Sequence, residues 1–125
     1  MIGDELKARA RQFAMEVIDL CLQLGTDDLA RLVRPQLLRA CTGLAANYRA
    51  AGRSRTRREF ISKLGLVVEE ADESELWLDV LETKKCGPQE AVSRLRGEAR
   101  ELRAIFAASR RTALERIREA NRLTR

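Results

Sequence analysis

The chain has 125 residues, 45% hydrophobic and 34% charged, which suits one globular domain with a real core. It contains no run of 18 or more apolar residues, so no membrane-spanning helix is expected. It also contains no histidine, which excludes Ser-His and Cys-His nucleophile pairs and the usual histidine-bearing zinc and di-iron sites.

The first apolar series is Leu6, Ala10, Phe13, Val17, Cys21 and Leu24, whose steps of three and four predict a helix over about 4–24. Gly25 is placed to end it, and Asp27 or Asp28 to cap the second helix. The second series, Leu29, Val33, Leu37, Ala40, Leu44 and Tyr48, predicts a helix over about 29–51. Pro35 interrupts it, so a short first turn, a kink or a restart near Arg34 is expected. Gly43 is costly inside a helix but permits close approach of a neighbouring backbone.

Phe60, Leu64, Val67, Ala71, Ser74, Leu78 and Leu81 form the cleanest series, over about 56–85. Thr56 with Glu59 reads as a capping box, and Ser54 is a second cap candidate. Gly87-Pro88 stops this helix and starts the next, predicted over about 88–121 on Ala91, Leu95, Ala99, Leu102, Phe106, Ala113 and Ile117. Residues 1–125 thus read as a single all-α domain, an antiparallel up-down-up-down four-helix bundle.

Charge is unevenly spread around the net +5. Arg49, Arg53, Arg55, Arg57 and Arg58 fall between positions 49 and 58 with no acid among them. Residues 109–125 hold six arginines against two acids, and residues 64–83 hold seven acids and no base. A charge run can be a solvated surface. Crowded like charges at a helix-to-helix corner repel, however, and phosphate binding relieves that repulsion. Arginine is also the side chain suited to bidentate phosphate contacts. Tyr48 beside Arg49 could stack a base or could be a core-edge residue.

Leu66, Leu76, Trp77 and Val80 project away from the third helix's seam. They read either as a wide core stripe or as a subunit interface, and the interface is preferred because a greasy patch would otherwise face water. Glu69, Glu73 and Glu75 beside them could pair with another subunit or with the fourth helix.

The carboxylate pairs Glu70/Glu73 and Glu98/Glu101 lack the histidines of di-metal sites. Charge pairing with Arg39, Arg94 or Arg103 is the expected role, with no metal and no cofactor. The serines have no candidate base, and the glycines form no phosphate loop. Three cysteines give no disulfide framework: Cys21 and Cys41 read as core, and Cys86 as an exposed turn thiol. The N-terminus lacks a secretion-signal pattern, so a cytoplasmic location is expected.

Several segments carry a family likeness in order and spacing: Gln36-Leu-Leu-Arg-Ala40, Asn47, Ser54 with Glu59-Phe60, Lys63-Leu64-Gly65, Glu70-Ala-Asp-Glu-Ser74, Trp77-Leu78 and Glu98-Ala-Arg-Glu-Leu102. Over about residues 6–113 the chain resembles the bacterial four-helix bundle family, also called the 23S ribosomal RNA intervening-sequence protein family. The resemblance implies a small bacterial cytoplasmic protein that assembles as a homo-oligomeric, pentameric ring. A related branch comprises accessory proteins of diversity-generating retroelements, basic ring-forming partners of a reverse transcriptase and its template RNA. The likeness to that branch is one of fold and charge. Two departures stand out. Gly43-Leu44-Ala45-Ala46 replaces the common Ser-Ile-Pro-like segment before Asn47, and Ala50-Ala51-Gly52 replaces the common Glu-Gly after it.

The expected function is a non-enzymatic, oligomeric RNA- or DNA-binding accessory protein. Arg49, Arg53, Arg55, Arg57 and Arg58 form its primary patch, and Arg110, Arg111, Arg116 and Arg118 its secondary one. The alternative is a scaffold that meets an acidic protein partner, for example a reverse transcriptase.

Overall fold

Each apolar series becomes one helix in the computed structural model, which describes residues 3–124. In order they are α1 (Asp4–Leu22), α2 (Asp28–Ala51), α3 (Arg57–Thr83) and α4 (Gln89–Leu123). Arg125, counted above in the basic tail, lies outside the described residues.

Helices adjacent in sequence pack against each other, and α4 returns to α1. Among the described residues, the α1–α3 and α2–α4 pairs lie across the diagonals with no close backbone approach, meeting only through core side chains such as Tyr48 and Phe106, which makes a square, antiparallel bundle. The core runs along its axis through Phe13, Leu20, Leu37, Leu44, Leu64, Leu78, Leu95, Leu102 and Phe106, all fully buried. Ser74 is buried among them because its hydroxyl donates to Glu70 O at 2.9 Å.

Short connections are fixed by local chemistry. Asp27 caps α2 by accepting from Ala30 N at 2.8 Å. Arg34 reaches back to the carbonyls of Cys21, Leu24 and Gly25 at and just after the end of α1, where helix geometry leaves carbonyls short of partners. At the end of α3, Cys86 N donates to Leu81 O and Lys85 N to Glu82 O, with Lys85 left-handed at φ 54°. Gly87 follows at φ 82°, where a side chain would also strike Leu24.

Four expectations change. α2 runs as one helix through Pro35, so of the expected outcomes a short first turn and a restart near Arg34 do not occur; the proline removes one donor, and packing on both neighbours holds the rest. The group that approaches Gly43 is the Glu70 side chain, not a backbone. Cys86 is half-buried against the core, and burial raises its thiol pKa. Ser54 caps nothing: its hydroxyl has no partner, and Thr56 is the cap, accepting from Glu59 N at 3.0 Å.

Candidate nucleic-acid interface

The α2–α3 connection is a tight corner. Arg53 N donates to Ala50 O and Ser54 N to Ala51 O, so the chain turns within a few residues of α2's last turn. Arg49 therefore lies in the last turn of α2, Arg53 and Arg55 occupy the corner, and Arg57 and Arg58 open α3. All five side chains are exposed.

Among the described residues, ion pairing divides the arginines: those of the corner lack close carboxylates, as do Arg11, Arg31, Arg34, Arg110, Arg111, Arg116 and Arg118, while a second set is firmly paired. Away from the corner, Arg9 holds Glu98 and Glu101, Arg94 holds Glu16, Arg96 holds Asp79 and Glu82, and Arg100 and Arg103 share Glu75. Arg39 lies 3.7 Å from Glu73. The acidic stretch of α3 is thus largely answered by α4 and α2 of the same chain. The Glu98/Glu101 pair is answered by Arg9 of α1 rather than by Arg94. Among the described residues, Arg49, Arg53, Arg57 and Arg58 have no carboxylate partner, and Arg55 has only a loose one in Glu59 at 3.9 Å.

Helix polarity sharpens the contrast. Arg49 complements the negative C-terminal end of α2, whereas Arg57 and Arg58 add positive charge to the positive N-terminal end of α3. Nothing in the fold requires cations there. An anion would find free backbone N–H groups and guanidinium groups together.

These arginines rim an open groove of about 990 Å³ at this pole of the bundle. Arg49, Arg53, Arg55 and Arg57 line one side, and Arg116 of α4 joins them. The structure therefore brings Arg116 to the primary patch, while Arg58, Arg110, Arg111 and Arg118 lie outside the groove lining. Arg110 is half-buried over Gly65 of α3, and its Nε has no partner. Lys7, Phe60, Ile105, Ser109 and Thr112 also line the groove. Helical periodicity does not assign them to a site, because it does not set the register of α1 against α4.

Tyr48 lies at the groove floor, 2% exposed, its ring 4.8 Å from that of Phe106. Burial pushes its hydroxyl pKa up to about 12. So enclosed a ring offers no open face on which a base can stack.

The surplus apolar residues of α3 divide. Leu66 and Leu76 are exposed, Leu76 at 53%, while Trp77 and Val80 are half-buried against the core. Met15, Leu22 and Leu32 are exposed as well, Leu22 at 79%. No group of three or more His, Cys, Asp or Glu is placed to hold a metal among the described residues.

The model of one family, described as 23S rRNA-intervening sequence protein, matches residues 5–108. The chain belongs to that family. Within the 23S rRNA-intervening sequence protein match lie α1, the arginine corner, α3 and the first part of α4, while Arg110, Arg111, Arg116 and Arg118 lie beyond it. A solved structure, titled as a protein of unknown function from the S23 ribosomal protein family of Bacteroides thetaiotaomicron VPI-5482, is similar at TM-score 0.75 and 26% identity. The alignment covers 82% of this chain and 95% of that one. The comparison with curated proteins found no match.

Proposed function

We propose that this family member is a non-enzymatic, oligomeric accessory protein that binds RNA through the phosphate backbone at its arginine pole. One observation carries the reading: this fold neutralises the arginines of α4's inner row internally and leaves those at the α2–α3 corner without close carboxylates. Unneutralised guanidinium groups around a concavity concentrate anions and release counterions from a polyanion. Binding of this kind positions a nucleic acid without reading its sequence.

Exposed Leu66 and Leu76 on the outer face of α3 support self-association. In a ring the pole would recur on each subunit, and weak contacts would multiply.

A mobility-shift titration with a structured RNA at two salt concentrations tests this function. Micromolar or tighter binding that weakens steeply with salt is expected, and no binding at low salt overturns it. The groove's combination of apolar floor and basic rim also favours a second reading, an acidic partner protein laid into it. Pull-down with and without nuclease separates the two: a partner retained after nuclease favours the protein.

A further inference from the structure

α1 covers only part of α4. Arg9 meets Glu98 and Glu101, and Glu16 meets Arg94, so the antiparallel register brings the first turn of α1 level with Ile105. α4 continues to Leu123. Among the described residues, α1 does not extend over the side of α4 that carries Ser109, Thr112 and Arg116, and the groove occupies that space.

We infer that the groove receives an unstacked base of single-stranded RNA while the flanking phosphates rest on its arginine rim. The inference deepens the proposed function and rests on it. Leu6, Phe60, Ile105 and Ala108 give the groove apolar lining between the arginines. Phosphates gain nothing from such surface, but the face of a base does. Ser54 also lines the groove, with a buried hydroxyl that has no partner. Ser109 and Thr112 supply hydroxyl donors and acceptors suited to a base edge or a ribose hydroxyl.

A duplex fits these features poorly. Its bases are stacked inside, and its phosphates stand on a convex surface, so it touches the rim and leaves the apolar lining in water. A strand with splayed bases uses rim and floor together.

Fluorescence anisotropy at low salt distinguishes the cases with three labelled ligands of equal phosphate number. They are a single-stranded uridine-rich RNA, the same strand made abasic, and a hairpin duplex. The intact strand is expected to bind about tenfold or more tighter than the abasic strand, the worth of one stacked base, and tighter than the duplex. Equal, salt-sensitive affinities for all three overturn the base site and leave the phosphate reading standing. Binding of none overturns both. Phe60→Ala, verified as folded by circular dichroism, is expected to lower the intact strand to the abasic level. A folded Phe60→Ala that keeps full preference for the intact strand overturns the inference. Should that variant not fold, the three-ligand comparison on the unaltered protein decides alone.

Discussion

The carboxylate of Glu70 in α3 lies over Gly43 in α2, in the space that a side chain at position 43 would fill. A methyl group built there would overlap Glu70 Oε2 and come within 3.0 Å of Cδ. Glycine is tolerated in the middle of α2 because α3 delivers a charged group to that spot. Alanine at an ordinary helix position gains about 1 kcal/mol over glycine. At position 43 that gain is offset by displacing the carboxylate. Gly43→Ala is therefore expected to be about 1 kcal/mol more favourable in a Glu70→Ala background than in the native chain, within the range for contacting residues. Urea denaturation of the four proteins measures the coupling, and strict additivity would refute the contact.

Stability should respond to pH in opposite directions at two glutamates. Burial, then the charge of Glu73, raises the Glu70 pKa, with Glu69 adding to and Arg39 opposing the shift. A raised carboxyl pKa favours the folded state below the ordinary carboxyl range and costs stability as pH rises through the folded value. Glu70→Gln should thus stabilise at neutral pH, with the gain fading in acid.

Burial would also raise Glu75, but the hydrogen bonds from Arg100 and Arg103 outweigh it and hold its pKa below the ordinary value. That contribution is present above the unfolded pKa and lost as pH falls through the folded one. Glu75→Gln should cost about 2 kcal/mol at neutral pH, as for a charge-assisted hydrogen bond, and progressively less in acid. Melting temperatures of both variants across pH check the signs.

At the start of α3, function and folding should pull apart. Arg57 is exposed and opposes the helix dipole. Arg57→Glu is expected to stabilise the free protein by about 0.5 kcal/mol while weakening RNA binding and its salt dependence. Arg57→Gln should reduce the slope of log affinity against log salt by about one for each phosphate that Arg57 neutralises. Thermal melts and salt titrations of each variant separate the two effects.

Leu76 is a cleaner probe of self-association than Trp77, because Trp77 also packs on the core. Leu76→Ser should change stability by no more than about 0.5 kcal/mol in the monomer. It should also lower the mass seen by light scattering. Unchanged mass with an oligomeric parent would remove Leu76 from the interface.

The bundle was legible because its signals are local. Leu64, Leu78 and Leu81 fall on one helical face by spacing alone, and all are fully buried. Thr56 announces its cap by the glutamate three positions on. Pro35 does not break α2, because its cost is local while its compensation is tertiary. Cys86 misled because turn residues usually face water, whereas here the turn folds back on the core.

The candidate site was half visible. The five corner arginines fall within ten positions, so their density alone marks them. Arg116 joins them only through the register of α4, and Ile105 and Thr112 open onto the groove only because α1 starts level with Ile105. Neither fact leaves a trace in any one segment. The even division of Leu66, Leu76, Trp77 and Val80 between solvent and core likewise depends on where α2 and α4 lie.

The backbone of α1 approaches α4 less closely than that of α3 does, so the two sides of α4 should differ in local stability. The α3–α4 hairpin, closed by a short turn and laced by Arg96, Arg100 and Arg103, is the unit whose amides should exchange most slowly. α1, with the weaker hold on α4, should be the first helix to open, and lifting its first turn would lengthen the cleft along α4.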